Sequence, residues 1–345
     1  MPTSEDSQWR MIRRWCLWTG GLLSLLILVS AFSLSFGSAR IPVMTVAGHI
    51  RAFLFSGEAR DMSSTIVLRI RLPRVILGLF IGGALSVAGV LFQGLFHNPL
   101  VEPYTLGVSG GAALGVSLFI LCGWHFMKGI SLLPLAGFLG AVLSILLVYG
   151  LSVKRGVPKT NTMLLAGVMI SFISSSAIML LMATSSHLQR VHNLLFWIMG
   201  SLQENNLTLI RWTCGLITLA VLASFFLYRE LNILALGDEE ALHLGIPVER
   251  IKKVIFLLGS VLTGLAVSIS GMIGFVGLIV PHLMRLLSGS DHRLLILSSF
   301  LAGGIFLILA DTLARTIISP LELPVGVITG LLGGSLFVYF LWARS

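Results

Sequence analysis

Residues 74–96 have the sequence RVILGLFIGGALSVAGVLFQGLF, whose only charged side chain is the arginine at its first position. A helix needs about 20 apolar residues to cross the hydrocarbon core of a bilayer. A helix also satisfies its backbone hydrogen bonds within itself, which lipid requires because it offers no partners. This stretch therefore predicts a membrane-spanning helix.

The composition of the whole chain agrees with this segment. Of the 345 residues, 56% are hydrophobic and 11% are charged, with a mean hydropathy of +0.98. Soluble domains carry about 25% charged residues, so this chain is too apolar to present a water-facing surface. We predict an all-α integral membrane protein. About ten spans are expected, at residues 16–36, 74–96, 104–122, 131–151, 162–184, 207–228, 252–270, 276–288, 293–316 and 324–342.

Basic residues set the predicted orientation. Residues 1–14 contain three arginines and are expected to form a cytoplasmic segment. The apolar run that follows is longer than the about 7–15 residues of a signal-peptide core, so we interpret it as a retained first span. Residues 15–345 then form one transmembrane domain in the inner membrane. Both termini are cytoplasmic, and so is a loop at about 231–251.

The excess of basic residues does not indicate a nucleic-acid partner. The formal net charge is +9, but membrane proteins collect Lys and Arg at the ends of their spans. Cys16, Cys122 and Cys214 lie far apart and form no metal-binding or redox motif. The chain also lacks a GxxxxGK[ST] loop, so it is not an ATPase itself. We expect no metal, cofactor or catalytic site in this chain.

Four arginines break the pattern of cytoplasmic basic residues. Arg69, Arg71 and Arg74 crowd the predicted outer end of the second span, and Arg315 lies at the outer end of the ninth. Such residues either extend to lipid headgroups or form an electropositive surface for an acidic partner, and their spacing leaves both interpretations open. Asp311 lies one helical turn before Arg315, which favours an ion pair between them.

Two segments on the predicted cytoplasmic side are unusual. Residues 234–247 predict a short helix that Asp238 caps at its start and Gly245 at its end. It is either an ordinary loop helix or a docking helix for a cytoplasmic partner. Residues 96–103 contain two prolines and the carboxylate of Glu102, and they predict either a tight turn or a gate.

Small residues recur at a spacing that favours close helix packing. Glycines lie four positions apart in three of the predicted spans, at Gly78 and Gly82, Gly111 and Gly115, and Gly326, Gly330 and Gly334.

The motifs of the chain, taken together, resemble one family. The most distinctive stretches are RIRLPR (69–74), QGLFHNPL (93–100), LGVSGG (106–111), LLAGV (164–168), LALGDEEALHLG (234–245), GFVGLIVPH (274–282) and ELPVG (322–326). From about residue 66 to the C-terminus, the chain resembles the permease subunit of type II ABC importers, the family that takes up ferric siderophores, haem and cobalamin. Residues 1–65 carry almost no signal of this family.

The resemblance implies an assembly as well as a fold. The fold would be that of type II ABC importer permeases, with about ten transmembrane helices per subunit. A second permease subunit, most simply an identical copy, would enclose the pathway at a shared axis. A dimer of ABC ATPase subunits would use ATP and Mg²⁺ on the cytoplasmic side. A periplasmic or lipid-anchored binding protein would deliver the ligand from outside.

The resemblance also implies roles for particular residues. The segment 237–245 matches the coupling helices that seat in the ATPase, through Gly237, Asp238, Glu239, Glu240, Ala241, Leu244 and Gly245. Arginines that pair with the binding protein in the family are matched by Arg71, Arg74 and Arg315. The cytoplasmic gate of the family is matched by Asn98, Leu100, Thr160 and Asn161. Asn161 departs from the small hydroxyl residue that is usual in cobalamin members, which puts the packing of the gate in question.

The implied function is transport without catalysis. The first expected cargo is a ferric siderophore, followed by cobalamin, and then by haem or an oxyanion. A hypothesis of another class is a secondary transporter driven by an ion gradient, which would need carboxylates near the middle of its spans. The spans contain almost no acidic residues, and Asp311 lies near one end. An intramembrane enzyme would need a nucleophile and a base, or a metal site, and the sequence shows neither.

Overall fold

The computed structural model describes residues 4–344, except 38, 57–60, 125, 128–129 and 155–156. Almost all of the described chain is helical, as the composition predicts. The α-helices are α1 (Ser4–Ser35), α2 (Val43–Ser56), α3 (Met62–Thr65), α4 (Leu72–Leu95), α5 (Val108–Cys122), α6 (Leu133–Ser152), α7 (Thr160–Thr184), α8 (Leu188–Ile198), α9 (Leu207–Phe226), α10 (Tyr228–Leu234), α11 (Asp238–His243), α12 (Val248–Ser270), α13 (Val276–Ser288), α14 (His292–Thr316) and α15 (Val325–Arg344).

Short irregular elements complete the described chain. A π-helical turn, Ile66–Arg71, joins α3 to α4, and a 3-10 turn, Pro103–Leu106, precedes α5. Two antiparallel pairs of very short strands close hairpins between helices. They are β1 (Phe126–Met127) with β2 (Ile130–Ser131), and β3 (Val153–Lys154) with β4 (Val157–Pro158).

The predicted spans all coincide with helices. Seven helical segments are long and apolar enough to cross a bilayer, and α5, α13 and most of α15 form shorter apolar helices. The span predicted at 276–288 is confirmed as a short helix, because α13 has 13 residues. A helix of that length is about 20 Å long, which is shorter than the hydrocarbon core of a bilayer.

The N-terminal segment is helical and continuous with the first span. Helix α1 begins at Ser4, and its part that is long and apolar enough to cross a bilayer runs from Trp15 to Ser35, close to the predicted first span. No glycine or proline interrupts residues 4–15, and these are the residues that end a helix most readily. Residues 1–3 of the predicted cytoplasmic segment lie outside the described residues.

Helix α4 is the centre of the bundle. It packs against α12, α13 and α14. Within Met62–Leu95, 83% of the most apolar 18-residue stretch is buried. Leu77, Ile81 and Leu91 are fully buried. Since neighbouring helices cover α4, any polar side chain on it must find its partners within the protein.

Glycines allow the helices around α4 to approach closely. A Cβ atom at Gly82 would lie 2.2 Å from the carbonyl oxygen of Gly303 on α14, and one at Gly111 would lie 2.5 Å from a carbonyl oxygen of α6. The prediction of close packing is confirmed at these positions. It is wrong at Gly330, where nothing in the described chain lies within 4 Å. The Cβ side of Gly330 is therefore open, although Gly326 and Gly334, one turn before and after it, lie beside Met199 and Phe275.

Candidate functional sites at the two ends of the helical bundle

One end of the bundle, the arginine end, is built around Asp311 on α14. Its Oδ2 atom lies 2.9 Å from Arg315 Nε, and its Oδ1 atom lies 4.0 Å from Arg74 Nη1 on α4. Arg74 Nη2 lies 2.6 Å from Glu322 Oε2, in the loop that follows α14. The predicted pair of Asp311 and Arg315 is confirmed, and Asp311 extends it to the central helix.

Arginine side chains also fix the end of the first helix to this network. Arg71 donates hydrogen bonds to the carbonyl oxygens of Ala39 and of Leu34, the latter at 2.7 Å. Arg315 Nη2 donates to the Ser33 hydroxyl at 2.9 Å and to its carbonyl oxygen at 3.3 Å. The last carbonyl groups of a helix have no partner within it. The arginines supply those partners, so α1 ends against α4 and α14.

The structure buries the three arginines that were predicted to dock a binding protein. Arg71, Arg74 and Arg315 are 3%, 6% and 5% exposed. Their docking role stays a prediction, and it requires a docked protein to reach Arg74 beside Glu322, whose side chain is 39% exposed. Arg69 is exposed at the same end.

Glu322 is the residue at this end that the sequence interpretation missed. Burial raises the pKa of the Glu322 carboxyl, but the hydrogen bond and positive charge of Arg74 outweigh burial, so the pKa lies below its usual value. The carboxylate is therefore ionised at neutral pH. A lone acidic residue at the start of the last span, opposite an unexplained group of arginines, was the available signal.

The segment that was predicted to couple to an ATPase lies at the opposite end of α14. Asn232 on α10 accepts a hydrogen bond from the backbone N–H of His292, the first residue of α14, at 2.9 Å. The predicted short helix is confirmed as α11. Ala241 is fully buried and anchors it, whereas Glu239 and Glu240 are exposed.

The start of α11 differs from the prediction. Gly237, rather than Asp238, is the N-cap residue, with a φ of 123° that glycine tolerates because it has no Cβ atom. The Asp238 side chain makes no capping hydrogen bond and pairs instead with Lys252 on α12. The ion pair fixes α11 to a membrane-spanning helix, which a capping bond would not do.

The end of α11 uses Gly245, the glycine that the sequence predicts there. Leu244 is the C-cap residue, and Gly245 follows it with a φ of 81°. The Ile246 N–H donates to the Ala241 carbonyl oxygen at 3.0 Å. This arrangement satisfies the last carbonyl groups of a helix and reverses the chain. Exposed leucines, Leu242 and Leu244, then lie beside the acidic residues of α11.

The predicted gate residues fall into two separate places. Asn98 Oδ1 accepts a hydrogen bond from the Leu100 N–H at 2.9 Å, which forms a local turn. Thr160 and Asn161, at the start of α7, line a different cavity of about 410 Å³ together with Asp238. The chain therefore brings the second pair next to α11, which the sequence did not predict. It does not bring the two pairs together.

A break between α12 and α13 interrupts helical structure inside the bundle. Residues 271–275 are not helical, and Phe275 has a φ of 68°, which is rare for a residue with a side chain. The Phe275 N–H donates to Glu102 Oε1, and the Ile273 N–H donates to the Tyr104 hydroxyl at 2.7 Å. The 96–103 segment therefore does more than turn the chain, because its end supplies the partners that the broken helix lacks.

Two cavities meet at Tyr104. One, of about 440 Å³, extends to Gly274 and to the open side of Gly330 on α15. The other, of about 340 Å³, extends to the hydroxyls of Ser171 and Ser175 on α7. We call these two cavities the Tyr104 groove. It mixes hydroxyl groups, backbone and apolar surface, and it lies beside irregular backbone, which lipid does not tolerate unless protein or a water-filled path surrounds it.

Comparisons with known proteins agree with this architecture. A model of the FecCD transport family matches residues 25–343. The hemin transport system permease protein HmuU of Yersinia pestis is 38% identical over 328 residues, which cover 94% of each chain. The Fe(3+) dicitrate transport system permease protein FecD of Escherichia coli is 38% identical over 293 residues, covering 84% of this chain and 89% of FecD.

A solved structure is similar over nearly its whole length. It is an inward-facing conformation of a transporter assigned to the metal-chelate ABC type. It has 30% sequence identity and a TM-score of 0.80, and it covers 95% of this chain and 99% of that one.

The fold and these sites define a multi-pass membrane permease of the ABC importer class. The chain belongs to the FecCD transport family. The family match begins at residue 25, well before the predicted start near residue 66. The earlier start includes Ser33 and the end of α1, which bind the buried arginines.

We expect the replacement Asp311→Asn to destabilise the protein by about 3–5 kcal/mol, because it leaves the buried Arg315 without its carboxylate and removes one of the two carboxylates beside Arg74. Thermal unfolding of the purified protein in detergent measures the effect. Glu249→Gln, on the exposed start of α12, is the matched control and should change little. An equal unfolding midpoint for the two variants would show that the arginine end does not hold the bundle together.

Proposed function

We propose that this chain is the permease of an ATP-driven importer of a metal chelate, with a ferric siderophore as the first candidate cargo. The Tyr104 groove carries this proposal. Its lining offers hydroxyls, glycines and backbone, and its one acidic side chain, Glu102, is already bonded to the Phe275 N–H, which suits a bulky complex that passes without strong binding. Relatives named for hemin and for ferric dicitrate support a chelated metal as cargo.

A second copy of the chain would complete the pathway. The groove lies between faces of α7 and α15 that remain uncovered, and Gly330 faces open space. Exposed side chains near it on α7 include Ser175 and Phe172. We propose a homodimer whose two grooves face each other across the axis. Thr160 and Asn161 would then approach Asn98 and Leu100 of the second copy as a gate.

The exposed surface of α11 would contact a separate ATPase subunit, which uses ATP and Mg²⁺. Its leucines provide apolar contact, and Glu239 and Glu240 give it a negative charge. The ion pair of Asp238 with Lys252 connects α11 to α12, and Asn232 connects α10 to α14. Movement of the ATPase would therefore reach two spanning helices directly. Arginine placement supports the inner membrane with cytoplasmic termini as the location.

Uptake into proteoliposomes tests this function. The vesicles would hold the permease with its ATPase and binding protein and be offered labelled ferric siderophore, hemin and cobalamin in parallel. We expect ATP-dependent accumulation of the siderophore. The variant Glu239→Lys/Glu240→Lys should hydrolyse ATP but accumulate less than about a tenth as much, because reversed charge disrupts the contact with the ATPase.

The adjacent acidic pair near the N-terminus supplies a matched control. Glu5→Lys/Asp6→Lys changes the charge by the same amount outside α11 and should transport normally. Accumulation of hemin or cobalamin alone would keep the importer and change the cargo. Uptake that follows an ion gradient and ignores ATP would replace the proposal with a secondary transporter.

Glu322 occupies Arg74, one of the arginines that would dock the binding protein. If Arg74 binds a carboxylate of the binding protein, its ion pair with Glu322 must break first. Glu322→Gln should therefore strengthen docking about fivefold, since a partly exposed ion pair is worth about 1 kcal/mol. Surface plasmon resonance with the permease in nanodiscs measures the affinity.

The control for docking is Glu204→Gln, a carboxylate at the same end that binds the Asn206 N–H instead of an arginine. It should leave the affinity unchanged. Weaker docking by Glu322→Gln would mean that Glu322 itself, rather than Arg74, faces the binding protein.

A further inference from the structure

A cavity at the α11 end has buried polar groups whose hydrogen-bonding capacity the fold does not fully use, and Asn98, one of the proposed gate residues, is part of its lining. Its volume is about 490 Å³, and it lies between the end of α4, the end of α13 and the start of α14. Gln93, Arg285 and His292 line it, together with His97 and Ala235, which precedes α11. It shares none of its lining residues with the Tyr104 groove.

Two hydrogen-bond acceptors in this cavity are buried and have no partner. Gln93 is 3% exposed and His292 is 4% exposed. Gln93 Nε2 donates to the carbonyl oxygens of Gly277 and Leu278 at 3.3 Å, which leaves Oε1 as the acceptor without a bond. Buried polar groups nearly always find a partner, so an unpartnered one is a candidate ligand contact.

The hydrogen bonds of His292 determine which of its two ring nitrogens is an acceptor. Asn232 Oδ1 accepts the His292 backbone N–H at 2.9 Å, so it is an acceptor for the ring as well. His292 Nδ1, at 2.8 Å from that oxygen, must carry the ring proton. Nε2 of the neutral ring is then an acceptor, and it has no partner in the described chain. It lies close to Gly94, at 3.5 Å from the position of an added Cβ atom.

Arg285 supplies the charge of the cavity. It lies on α13, and among the described residues it forms no ion pair with a carboxylate. None of the residues that line the cavity is acidic. A guanidinium group in such a setting favours an anionic oxygen ligand, which it can bind with two parallel hydrogen bonds.

These groups together specify an unusual ligand. It must carry negative charge for Arg285 and must also donate hydrogen bonds to Gln93 Oε1 and His292 Nε2. We propose that the cavity binds a protonated phosphate group. Dihydrogen phosphate has one P–OH for each acceptor, whereas the monoanionic phosphomonoester headgroup of a lipid has a single P–OH and pairs with one of them. Sulfate and phosphodiesters carry charge at neutral pH but no proton to donate, so they would leave both acceptors unpaired.

Occupancy of this site would bear on the coupling segment. His292 also binds Asn232 on α10, and His97 Nε2 bonds to the Leu234 carbonyl oxygen at 2.6 Å, at the end of α10. A ligand between these groups would brace the chain that leads into α11. The site does not depend on the proposed cargo, and its binding can be measured without transport.

Equilibrium binding of ³²P-labelled phosphate to the full-length permease tests the proposal, with the protein in phosphatidylcholine nanodiscs at pH 7. We expect saturable binding that sulfate displaces at least about tenfold less effectively, because each unpaired buried acceptor costs affinity. Arg285→Gln should weaken binding by tenfold or more. Arg250→Gln, an exposed arginine at the start of α12, should not change it.

Lipid composition distinguishes the two sources of the phosphate group. Phosphatidic acid in the nanodisc should block labelled phosphate if a lipid headgroup is the ligand, and should have no effect if free phosphate is. Equal competition by phosphatidylglycerol, a phosphodiester, would overturn the proposal. So would equal displacement by sulfate, an absence of saturable binding, or full binding by Arg285→Gln. The comparison of phosphate with sulfate uses the unaltered protein, so it stands even if a variant fails to fold.

Discussion

A backbone group inside a bilayer cannot turn to water for a hydrogen bond, and this constraint shapes the structure wherever a helix ends or breaks. Glu102 and Tyr104 reach from the 96–103 segment and its 3-10 turn to satisfy the break between α12 and α13. At the arginine end, Arg71 and Arg315 satisfy the last carbonyl groups of α1. Both sets of side chains come from segments distant in sequence, so each break also ties the bundle together.

The same helix connects the two ends of the molecule. Helix α14 begins at His292, which binds α10, and carries Asp311 one turn from its end, where it binds the arginines. Between these points Gly303 lies against Gly82 of α4 without room for a Cβ atom on either. Helices packed this closely move together rather than deform. A change at α11 would therefore be passed along α14 as a rigid movement, which alternating access requires.

Local sequence patterns predicted the structural features that depend on residues close together in the chain. Apolar runs located the spans, a spacing of four residues gave the Asp311–Arg315 pair, and a helix-forming loop gave α11. No local spacing in the sequence predicted hydrogen bonds or ion pairs between residues that are distant in the chain. The bond between Arg74 and Glu322 joins the second span to the loop before the last one, so the arginine was expected at the surface. The structure of the groove likewise depends on contacts between distant segments.

We propose that the Tyr104 groove is the transport pathway, and the accessibility of Gly330 to a thiol reagent tests this proposal. Gly330→Cys would be placed in a chain whose native cysteines are serine, assembled with its partners in membranes and treated with a membrane-impermeant maleimide. A thiol must reach water to react. The account predicts labelling at Gly330→Cys that ATP binding changes, and none at Leu219→Cys on the exposed apolar face of α9. Labelling at Leu219→Cys but not at Gly330→Cys, in transporters that still accumulate cargo, would contradict it.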